Sequence, residues 1–464
     1  MPGPKRGIGG SGTNGAVTDV LPGSPGPHDE VVELVSSLIR FDTSNTGELE
    51  TTKGEADCAR WVAEQLTEVG YECEYVESGA PGRGNVVTRL RGADSSRGAL
   101  LVHGHLDVVP AEAADWSVHP FSGAVSDGYV WGRGAIDMKN MIGMMIAVAR
   151  HLKRTGTVPP RDLVFAFVAD EEAGGKYGCG WLVENRPDLF EGVTEAIGEV
   201  GGFSLTVPHR DGGDKRLYLI ETAEKGMRWM RLTARGRAGH GSFVHDDNAV
   251  TTLAGAVDRL GRHQFPIVLT DTVAQFLTAV GEETGHSFDP DSPDLDGVVA
   301  KLGPIGRIVG ATLRDSANPT MLKAGYKANV IPGSAEAVVD CRILPGHAGE
   351  FEATVDELIG PDVTREWITD LPAYETTFDG DLVDAMNAAL LAVDPDARIV
   401  PYMLSGGTDA KHFARLGIRC FGFIPLRLPP ELDFAALFHG VDERVPVESL
   451  TFGTEVLECF LLNC

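Results

Sequence analysis

The sequence has few basic residues for its size and no long apolar run. Its 464 residues carry 40 Lys and Arg against 67 Asp and Glu, which gives a formal net charge of −27 at pH 7. Nucleic acids and anionic membranes bind basic surfaces, so this charge argues against either partner. No apolar stretch reaches the roughly 20 residues that a spanning helix needs. The sequence therefore predicts a globular protein without a nucleic-acid or membrane partner.

Cysteine is also scarce, and the first residues lack the apolar core of a secretory signal. The seven cysteines are odd in number and scattered without a Cys-x-x-Cys pair, so we expect reduced thiols and a cytoplasmic location. Residues 1–27 are rich in Gly, Pro and Ser. We expect them to form a disordered leader outside the fold.

From residue 28 onward, helical and strand-like patterns alternate, which predicts an α/β domain with helices on both faces of a sheet. The sequence pattern changes near residue 223 and from there indicates a smaller α+β unit. We expect residues 28–222 and 377–464 to form one discontinuous domain and residues 223–376 a unit inserted into it. The acidic, turn-rich stretch 281–297 is expected to be an exposed loop within an insertion near residues 270–325.

Three adjacent carboxylates end one of the apolar runs. The segment "LVFAFVADEEAGG" places Asp170, Glu171 and Glu172 directly after a strand that reads as buried. Like charges in an apolar setting persist only if a cation compensates them. Since Lys and Arg are absent until Lys176, a metal ion is the expected compensating charge.

Further candidate metal ligands follow other apolar runs or turns. "HGHLDVV" supplies His105 and Asp107, a Gly-rich turn precedes Asp137, "AIGEVGG" presents Glu199, and "LFHGVDE" supplies His439. A His-x-Asp pair can provide a zinc ligand and the carboxylate that orients it. Each residue has an ordinary alternative, such as helix capping for an Asp. The ordered set makes a metal site the better interpretation.

The ordered set also carries a resemblance. "GHLDVVP", "DGYVWGRGAIDMK", "ADEEAGG", "GRAGHGS" and "GGTDA" together resemble the dizinc aminoacylase/carboxypeptidase family, which includes acetylornithine deacetylase and succinyl-diaminopimelate desuccinylase. The resemblance covers nearly the whole chain from residue 28. It implies a zinc-exopeptidase-like catalytic domain with a mixed sheet flanked by helices, and an inserted α+β lid that forms a homodimer.

The resemblance implies roles for the metal-site residues. Two Zn²⁺ ions would share one bridging carboxylate, although Co²⁺ or Mn²⁺ also suits such ligands. The implied bridge is Asp137, with His105 and Glu199 on one ion and Glu172 and His439 on the other. Asp107 would orient His105. Glu171 would be the general base, taking a proton from a water whose pKa the metal ions lower and passing it to the leaving amine.

The substrate side is likewise implied by the resemblance. His240 would polarise the scissile carbonyl across the lid dimer, in cis or in trans. Asn329 and Arg342 would bind the substrate carboxylate, since Arg is suited to bidentate recognition, although a surface salt bridge is the alternative for Arg342. The loop residues Gly406, Gly407 and Thr408 would supply hydrogen-bond donors. Three other histidines are expected to be structural or surface residues: His103, His245 and His412.

These features predict a metal-dependent hydrolase that cleaves the amide bond of N-acyl amino acids or short peptides with a free carboxylate. "HLDVVP" and the long insertion resemble the aminoacylase and carboxypeptidase S branch. A desuccinylase or an acetylornithine deacetylase is the alternative, and a non-catalytic protein that binds amino-acid derivatives is an alternative of another class. No Gly-x-Ser-x-Gly motif is present, which disfavours a serine nucleophile.

Overall fold

The computed structural model describes residues 26–286 and 309–464, with a few single positions between these ranges. Residues 1–25 of the predicted leader and most of the predicted loop 281–297 lie outside the described residues. The first helix begins at Pro27, after Gly26 at its N-cap. Pro27 therefore belongs to the fold, whereas the sequence had suggested that the leader extends through it.

The described helices and strands alternate over the first half of the chain. The helices are α1 Pro27–Ile39, α2 Ala56–Thr67, α3 Lys139–Thr155, α4 Cys179–Asn185, α5 Ala249–Arg262, α6 Asp271–Thr284, α7 Ala348–Ile359, α8 Asp381–Val393, α9 Ala410–Ala414 and α10 Val447–Leu461. The first strands are β1 Cys73–Glu77, β2 Gly84–Leu90, β3 Ala99–His105, β4 Ala124–Ser126, β5 Tyr129–Trp131, β6 Leu163–Val168, β7 Val193–Gly198, β8 Ser204–Pro208 and β9 Asp214–Glu224. The later strands are β10 Gly226–Arg235, β11 Gly239–His240, β12 Ser316–Ala324, β13 Val330–Ile331, β14 Ser334–Ile343, β15 Val363–Leu371, β16 Tyr374–Glu375, β17 Arg398–Leu404, β18 Arg419–Gly422 and β19 Arg444–Pro446. Among the described residues, no helix is both long and apolar enough to cross a bilayer.

The larger sheet is mixed and forms the body of the molecule. Its strands run in the order β1-β2-β6-β3-β7-β18-β9-β16, and β8 and β17 also pair with β9. The central strands β3 and β6 are parallel to each other and buried along their whole length, as expected for strands covered on both faces. Helices α1, α3 and α10 pack together with one apolar cluster, while α4 and α9 contribute to another. This confirms the predicted mixed sheet flanked by helices.

The smaller unit, the lid, is built on an antiparallel sheet in the order β12-β14-β10-β15. Helices α5 and α7 contact each other and bury Leu253 and Phe351 in the lid's apolar cluster. A separate two-stranded sheet joins β11 to β13. The chain enters the lid after β9 ends at Glu224 and leaves it before β16 begins at Tyr374.

Helix α6 departs from the predicted division of the chain. It lies within the range 223–376, but its buried Val273, Phe276 and Val280 share an apolar cluster with Leu219 of β9 and Val400 of β17. The larger sheet thus uses α6 to cover apolar side chains that would otherwise face water. The predicted lid range therefore includes a segment that packs on the body, which no break in the sequence pattern had indicated.

Lys225 ties together the places where the chain passes between body and lid. Its buried ammonium donates to the carbonyl oxygens of Ala311 at 3.1 Å and Arg314 at 2.6 Å. Nearby, the backbone N–H of Leu344 donates to Asp315 at 2.6 Å. These hydrogen bonds therefore hold the end of β9, the segment before β12 and the end of β14 close together.

Candidate metal centre

The ends of three neighbouring parallel strands bring the first candidate ligands together. β6, β3 and β7 are adjacent and parallel. His105 is the last residue of β3, Glu199 directly follows β7, and Glu171 and Glu172 begin a short helical turn after β6. Because the carboxyl ends of parallel strands meet at one edge of a sheet, side chains distant in sequence become neighbours there.

Asp137 reaches the same edge from the turn before α3, and Glu443 shapes that turn. The buried Glu443 carboxylate accepts from the backbone N–H of Ile136 at 2.8 Å, from that of Asp137 at 3.3 Å and from the Arg133 guanidinium at 2.7 Å. Burial raises the pKa of Glu443 to about 7, against the opposing effect of these donors. The sequence analysis did not single out Glu443, although this charged residue lies four positions after the candidate ligand His439.

The candidate ligands form two groups that share Asp137. The His105 Nε2 atom lies 3.1 Å from Asp137 Oδ1 and 3.4 Å from Glu199 Oε2. The His439 Nε2 atom lies 3.2 Å from Asp137 Oδ2 and 3.2 Å from Glu172 Oε2. Within each group the candidate ligand atoms all lie within 4.8 Å of one another. Asp137 therefore belongs to both three-residue groups, with Oδ1 next to His105 and Oδ2 next to His439.

The electrostatics of these groups fit a pair of divalent cations. Burial raises the pKa of Glu172, and it raises that of Glu199 to about 7 despite the nearby His105. Hydrogen bonds to Asp137 and Glu172 raise the pKa of His439 to about 10. Among the described residues, no Lys or Arg forms an ion pair with the three carboxylates of the two groups. Imidazole and carboxylate donors at such spacing suit Zn²⁺, Co²⁺ or Mn²⁺.

Asp107 holds the loop that carries Glu171 and Glu172. Its carboxylate accepts from the backbone N–H groups of both glutamates at 3.1 Å and from Asn45 Nδ2 at 2.9 Å. The His105 Nδ1 atom lies 3.0 Å from the Asp107 carbonyl oxygen and 3.6 Å from its carboxylate. The backbone of Asp107 therefore makes the closer contact with the histidine, whereas the resemblance had implied that its carboxylate would do so.

Asp170 is compensated by an arginine and not by the candidate metal ligands. Arg83 Nη2 lies 3.0 Å from Asp170 Oδ1, and Asn45 and the backbone N–H of Tyr177 donate to the same carboxylate. Arg83 also donates to Glu55 at 2.6 Å, and all four charged or amide side chains of this network are buried. The expectation of a metal for all three adjacent carboxylates was wrong for Asp170, because the fold supplies Arg83 from a distant turn.

A cleft of about 1060 Å³ opens beside the two ligand groups and is lined by residues of both body and lid. Glu171 lines it, and burial raises the pKa of this carboxyl well above its usual range, with Glu199 adding to the effect. Gly406, Gly407 and Arg342 also line the cleft. These three predicted substrate-binding residues therefore border the same cleft as Glu171.

Two predicted substrate-binding groups already have partners within the chain. The Arg342 guanidinium is paired with Asp340 through Nε at 2.7 Å and Nη2 at 3.1 Å, so the salt-bridge alternative describes this structure. The buried backbone N–H of Thr408 donates to Glu224 at 2.6 Å, and its hydroxyl donates to the same carboxylate at 3.4 Å. Thr408 therefore fixes the glycine loop in place and does not present a free donor.

His240 and Asn329 lie together but outside the cleft. His240 ends β11, which pairs with β13, and the Gly241 N–H donates to the Asn329 carbonyl oxygen at 3.0 Å. Both residues are exposed, and neither lines the cleft. A single copy of the chain does not bring them to the candidate ligands.

The remaining histidines behave largely as expected. His103 is buried against Phe413, and burial lowers its pKa to about 3. His412 Nε2 lies 3.1 Å from the Gly174 carbonyl oxygen, although the ring also lines the cleft. His245 is half-buried beside Gly239, so it is less exposed than the expected surface residue.

Asp137 joins two groups of candidate metal ligands at the strand ends of an α/β body, and Glu171 lines the cleft beside them. This arrangement is suited to metal-assisted hydrolysis. The model of Peptidase family M20/M25/M40 matches residues 101–463. The chain belongs to this family, and it is a metallopeptidase or amidohydrolase enzyme, as predicted.

Two relatives match most of this chain and most of their own length. The probable carboxypeptidase S-like 2 of Dictyostelium discoideum is 29% identical over 374 residues, which cover 79% of this chain and 71% of that protein. The N-fatty-acyl-amino acid synthase/hydrolase PM20D1 of Homo sapiens is 29% identical over 396 residues, covering 80% and 75%. The dipeptidase Dug1p of Saccharomyces cerevisiae superposes with a TM-score of 0.68 at 16% identity, covering 94% of this chain and 97% of that one. That last similarity concerns the fold, and it confirms the body-and-lid architecture.

Proposed function

We propose that the enzyme hydrolyses the amide bond of N-acyl amino acids or short peptides that carry a free carboxylate. The observation that carries the proposal is the sharing of Asp137 between two ligand groups, beside Glu171, in a cleft also lined by Arg342. Two relatives are named for related chemistry, as a carboxypeptidase S-like protein and as a hydrolase of N-fatty-acyl amino acids. Both names favour this branch over the desuccinylase alternative.

In this proposal, His105, Asp137, Glu172, Glu199 and His439 hold two zinc ions. When bound, divalent cations lower the pKa of the attacking water and polarise the scissile carbonyl. The carboxylates of this set and their buried surroundings support the assignment because they need cationic compensation. Zinc is proposed over cobalt and manganese because imidazole and carboxylate ligands are typical of catalytic zinc sites.

Glu171 is the proposed general base. It takes the proton from the attacking water and delivers it to the amine nitrogen as the amide bond breaks. Burial raises the pKa of Glu171 above its usual range, which makes this carboxylate a stronger base than an exposed glutamate and supports the role. Asp107 positions Glu171 through the hydrogen bond to its backbone N–H.

Arg342 is proposed to bind the substrate carboxylate, with Gly406 and Gly407 bordering the same region. The bidentate pairing with Asp340 shows a guanidinium already held in the geometry that a carboxylate requires. Substrate binding then exchanges one carboxylate for another or adds a second to the free edge of the guanidinium. This arrangement keeps the side chain ordered without substrate.

A homodimer through the lid is proposed to bring His240 and Asn329 to the cleft of the partner subunit. Neither residue lines the chain's own cleft, which supports action in trans. The lid also exposes apolar side chains near them: Val244 is 95% and Tyr326 84% exposed, and the edge strand β12 exposes Met321 and Leu322. Apolar patches of this kind are common at interfaces between subunits. Cytoplasmic location stays a prediction, and the free state of all seven cysteines agrees with it.

The function is tested by measuring free amino acid released from a panel of N-acyl amino acids and dipeptides by zinc-loaded enzyme, with a chelated sample beside it. We expect chelator-sensitive release, and Glu171→Gln should retain two metals but lose most turnover. Metal-loaded enzyme that releases nothing from any substrate would support the binding-protein alternative. Preference for succinyl or acetylornithine substrates would support the deacetylase alternative.

The trans role of His240 has its own test. Mixing inactive His240→Ala with inactive Glu171→Gln subunits should restore part of the activity, because one site of each hybrid dimer has both intact residues. Activity that stays absent despite verified subunit exchange would contradict the role. His245→Ala is the matched control, since this neighbouring half-buried histidine has no proposed role.

A further inference from the structure

One side of the cleft is a continuous apolar surface that the proposed chemistry does not use. We call it the apolar arm and define it by Phe203, Leu205, Tyr402, Leu428, Phe434 and Phe438, all of which line the cleft. The rings of Phe203 and Phe434 have centroids 5.1 Å apart, those of Phe203 and Tyr402 5.9 Å, and those of Phe434 and Phe438 5.2 Å. The arm is therefore one packed aromatic wall with aliphatic residues beside it.

The arm begins at the candidate metal ligands. Phe438 directly precedes His439, and Phe203 lies four residues after Glu199. The intervening backbone is fixed to the wall, because the Tyr402 hydroxyl donates to the Val200 carbonyl oxygen at 2.7 Å. A substrate whose carbonyl carbon lies at the ligand groups would thus have its acyl portion next to this wall.

The polar atoms of the wall are already paired within the protein. The Ser204 hydroxyl oxygen accepts from the Leu428 N–H at 2.9 Å, and the Ser204 N–H donates to the Leu426 carbonyl oxygen at 2.8 Å. Together with the bonded Tyr402 hydroxyl, they leave carbon surface facing the cleft. An acyl group with its own ammonium or carboxylate would lose hydration here without gaining a partner.

The charged residues around the cleft also favour an uncharged acyl group. Lys411 and Arg342 are the Lys and Arg side chains among the described lining residues, and they are paired with Glu224 and Asp340. The exposed Glu431 also lines the cleft and would repel an anionic acyl group. The cleft volume of about 1060 Å³ reaches the upper end of the ~300–1,000 Å³ typical of small-molecule sites. An acetyl group would fill little of it.

We propose that the apolar arm binds an extended, uncharged hydrocarbon acyl chain, so that the preferred substrates are N-acyl amino acids with medium or long chains. This inference rests on the proposed function, because it assumes that the acyl carbonyl lies at the ligand groups. It goes further by assigning acyl selectivity to residues of β8, β17 and the segment 428–438. Free dipeptides and succinyl amides are disfavoured by the same surface.

The test is a series of N-acyl derivatives of one amino acid, from acetyl to dodecanoyl, with the zinc-loaded full chain. We expect kcat/KM to rise about fourfold for each added methylene (~0.8 kcal/mol) until the arm is filled. A free dipeptide of matching size should be cleaved more slowly than the octanoyl compound. A flat or falling series, or a faster dipeptide, would overturn the inference and leave the proposed function intact.

Substitutions test whether the apolar arm causes the preference for longer acyl chains. Leu205→Glu places a charge on the wall and should lower the octanoyl-to-acetyl ratio of kcat/KM at least tenfold. Leu391→Glu is the matched control, since Leu391 is 37% exposed on α8 and does not line the cleft. If Leu205→Glu fails to fold, Leu432→Glu in the segment 428–438, which also lines the cleft, provides the same measurement. An unchanged ratio in a folded arm variant would contradict the inference.

Calorimetric binding separates this inference from the proposed function. Titrating Glu171→Gln enzyme with the same series should give tighter binding and a more negative heat-capacity change as the chain lengthens. If no compound is hydrolysed by the loaded wild-type enzyme, the proposed function fails. Binding that still strengthens with chain length would then retain the arm as a ligand site, and binding that does not would remove it.

Discussion

Replacing Asp107 by Asn removes a negative charge that organises the loop of the proposed base. The carboxylate accepts three hydrogen bonds, from Asn45 Nδ2 and from the backbone N–H groups of Glu171 and Glu172. An Asn side chain keeps one acceptor oxygen, but its amide NH₂ group replaces the other oxygen. One of the backbone N–H groups would then face a donor and lose its hydrogen bond. Since a hydrogen bond to a charged group contributes about 1.5–3 kcal/mol, losing one should lower kcat about 10- to 150-fold.

The orientation of His105 should survive in Asp107→Asn, because its Nδ1 atom is nearest the Asp107 carbonyl oxygen, which the substitution retains. We therefore expect near-normal metal content by elemental analysis together with reduced kcat in steady-state assays. Asp42→Asn is the control, since exposed Asp42 bonds only to the nearby Ser44 in the described contacts. Unchanged kcat would refute the loop-holding role. Loss of metal with normal kcat per bound metal would instead indicate that the carboxylate acts on His105.

Two further predictions concern stability. Arg83→Met leaves Glu55 and Asp170 buried without their cation, so it should lower the free energy of unfolding by about 3–5 kcal/mol in denaturant titrations; a loss below 1 kcal/mol would contradict this. Burial opposes ionisation of Asp162, but donors including Gly92 N–H and Arg91 lower its pKa to about 2. Its contribution, about 2 kcal/mol above pH 4, should fade as the pH falls toward 2, so Asp162→Asn and wild type should converge in acid. A stability difference that is the same at pH 6 and pH 2 would show that this ionisation does not contribute.

The candidate ligands could be predicted from the sequence because each ends an apolar run or follows a turn. His105 ends β3, Glu172 lies four residues after β6, and Glu199 directly follows β7. The carboxyl ends of parallel strands meet at one edge of a sheet. Their order along the chain also matched a known family, which the family model confirms for residues 101–463. The α/β body followed from the alternation of helical and strand-like patterns, and the smaller unit followed from the change of pattern near residue 223. The mixed sheet was implied by the family resemblance.

What the sequence did not reveal depends on partners that only the fold brings together. Arg83 reaches Asp170, and Glu443 holds the turn at Asp137, across contacts between distant segments. A single charged residue in a loop carries no periodic signal that identifies its partner. The sequence also did not reveal that α6, within the predicted lid range, packs on the larger sheet, because an amphipathic pattern shows that one face is buried but not against which sheet.

The hydrogen bonds of Lys225 at the junction of body and lid limit how chimaeras of this enzyme can be designed. The chain passes from β9 into the lid, returns to the body at α6, re-enters the lid at β12 and leaves again before β16. A chimaera that exchanged residues 226–371 as one block would also carry away α6 and uncover the sheet beneath it. Lids of relatives can therefore be transplanted only as two separate pieces, 226–262 and 316–371, with Lys225 and its acceptors at Ala311 and Arg314 retained as the joint.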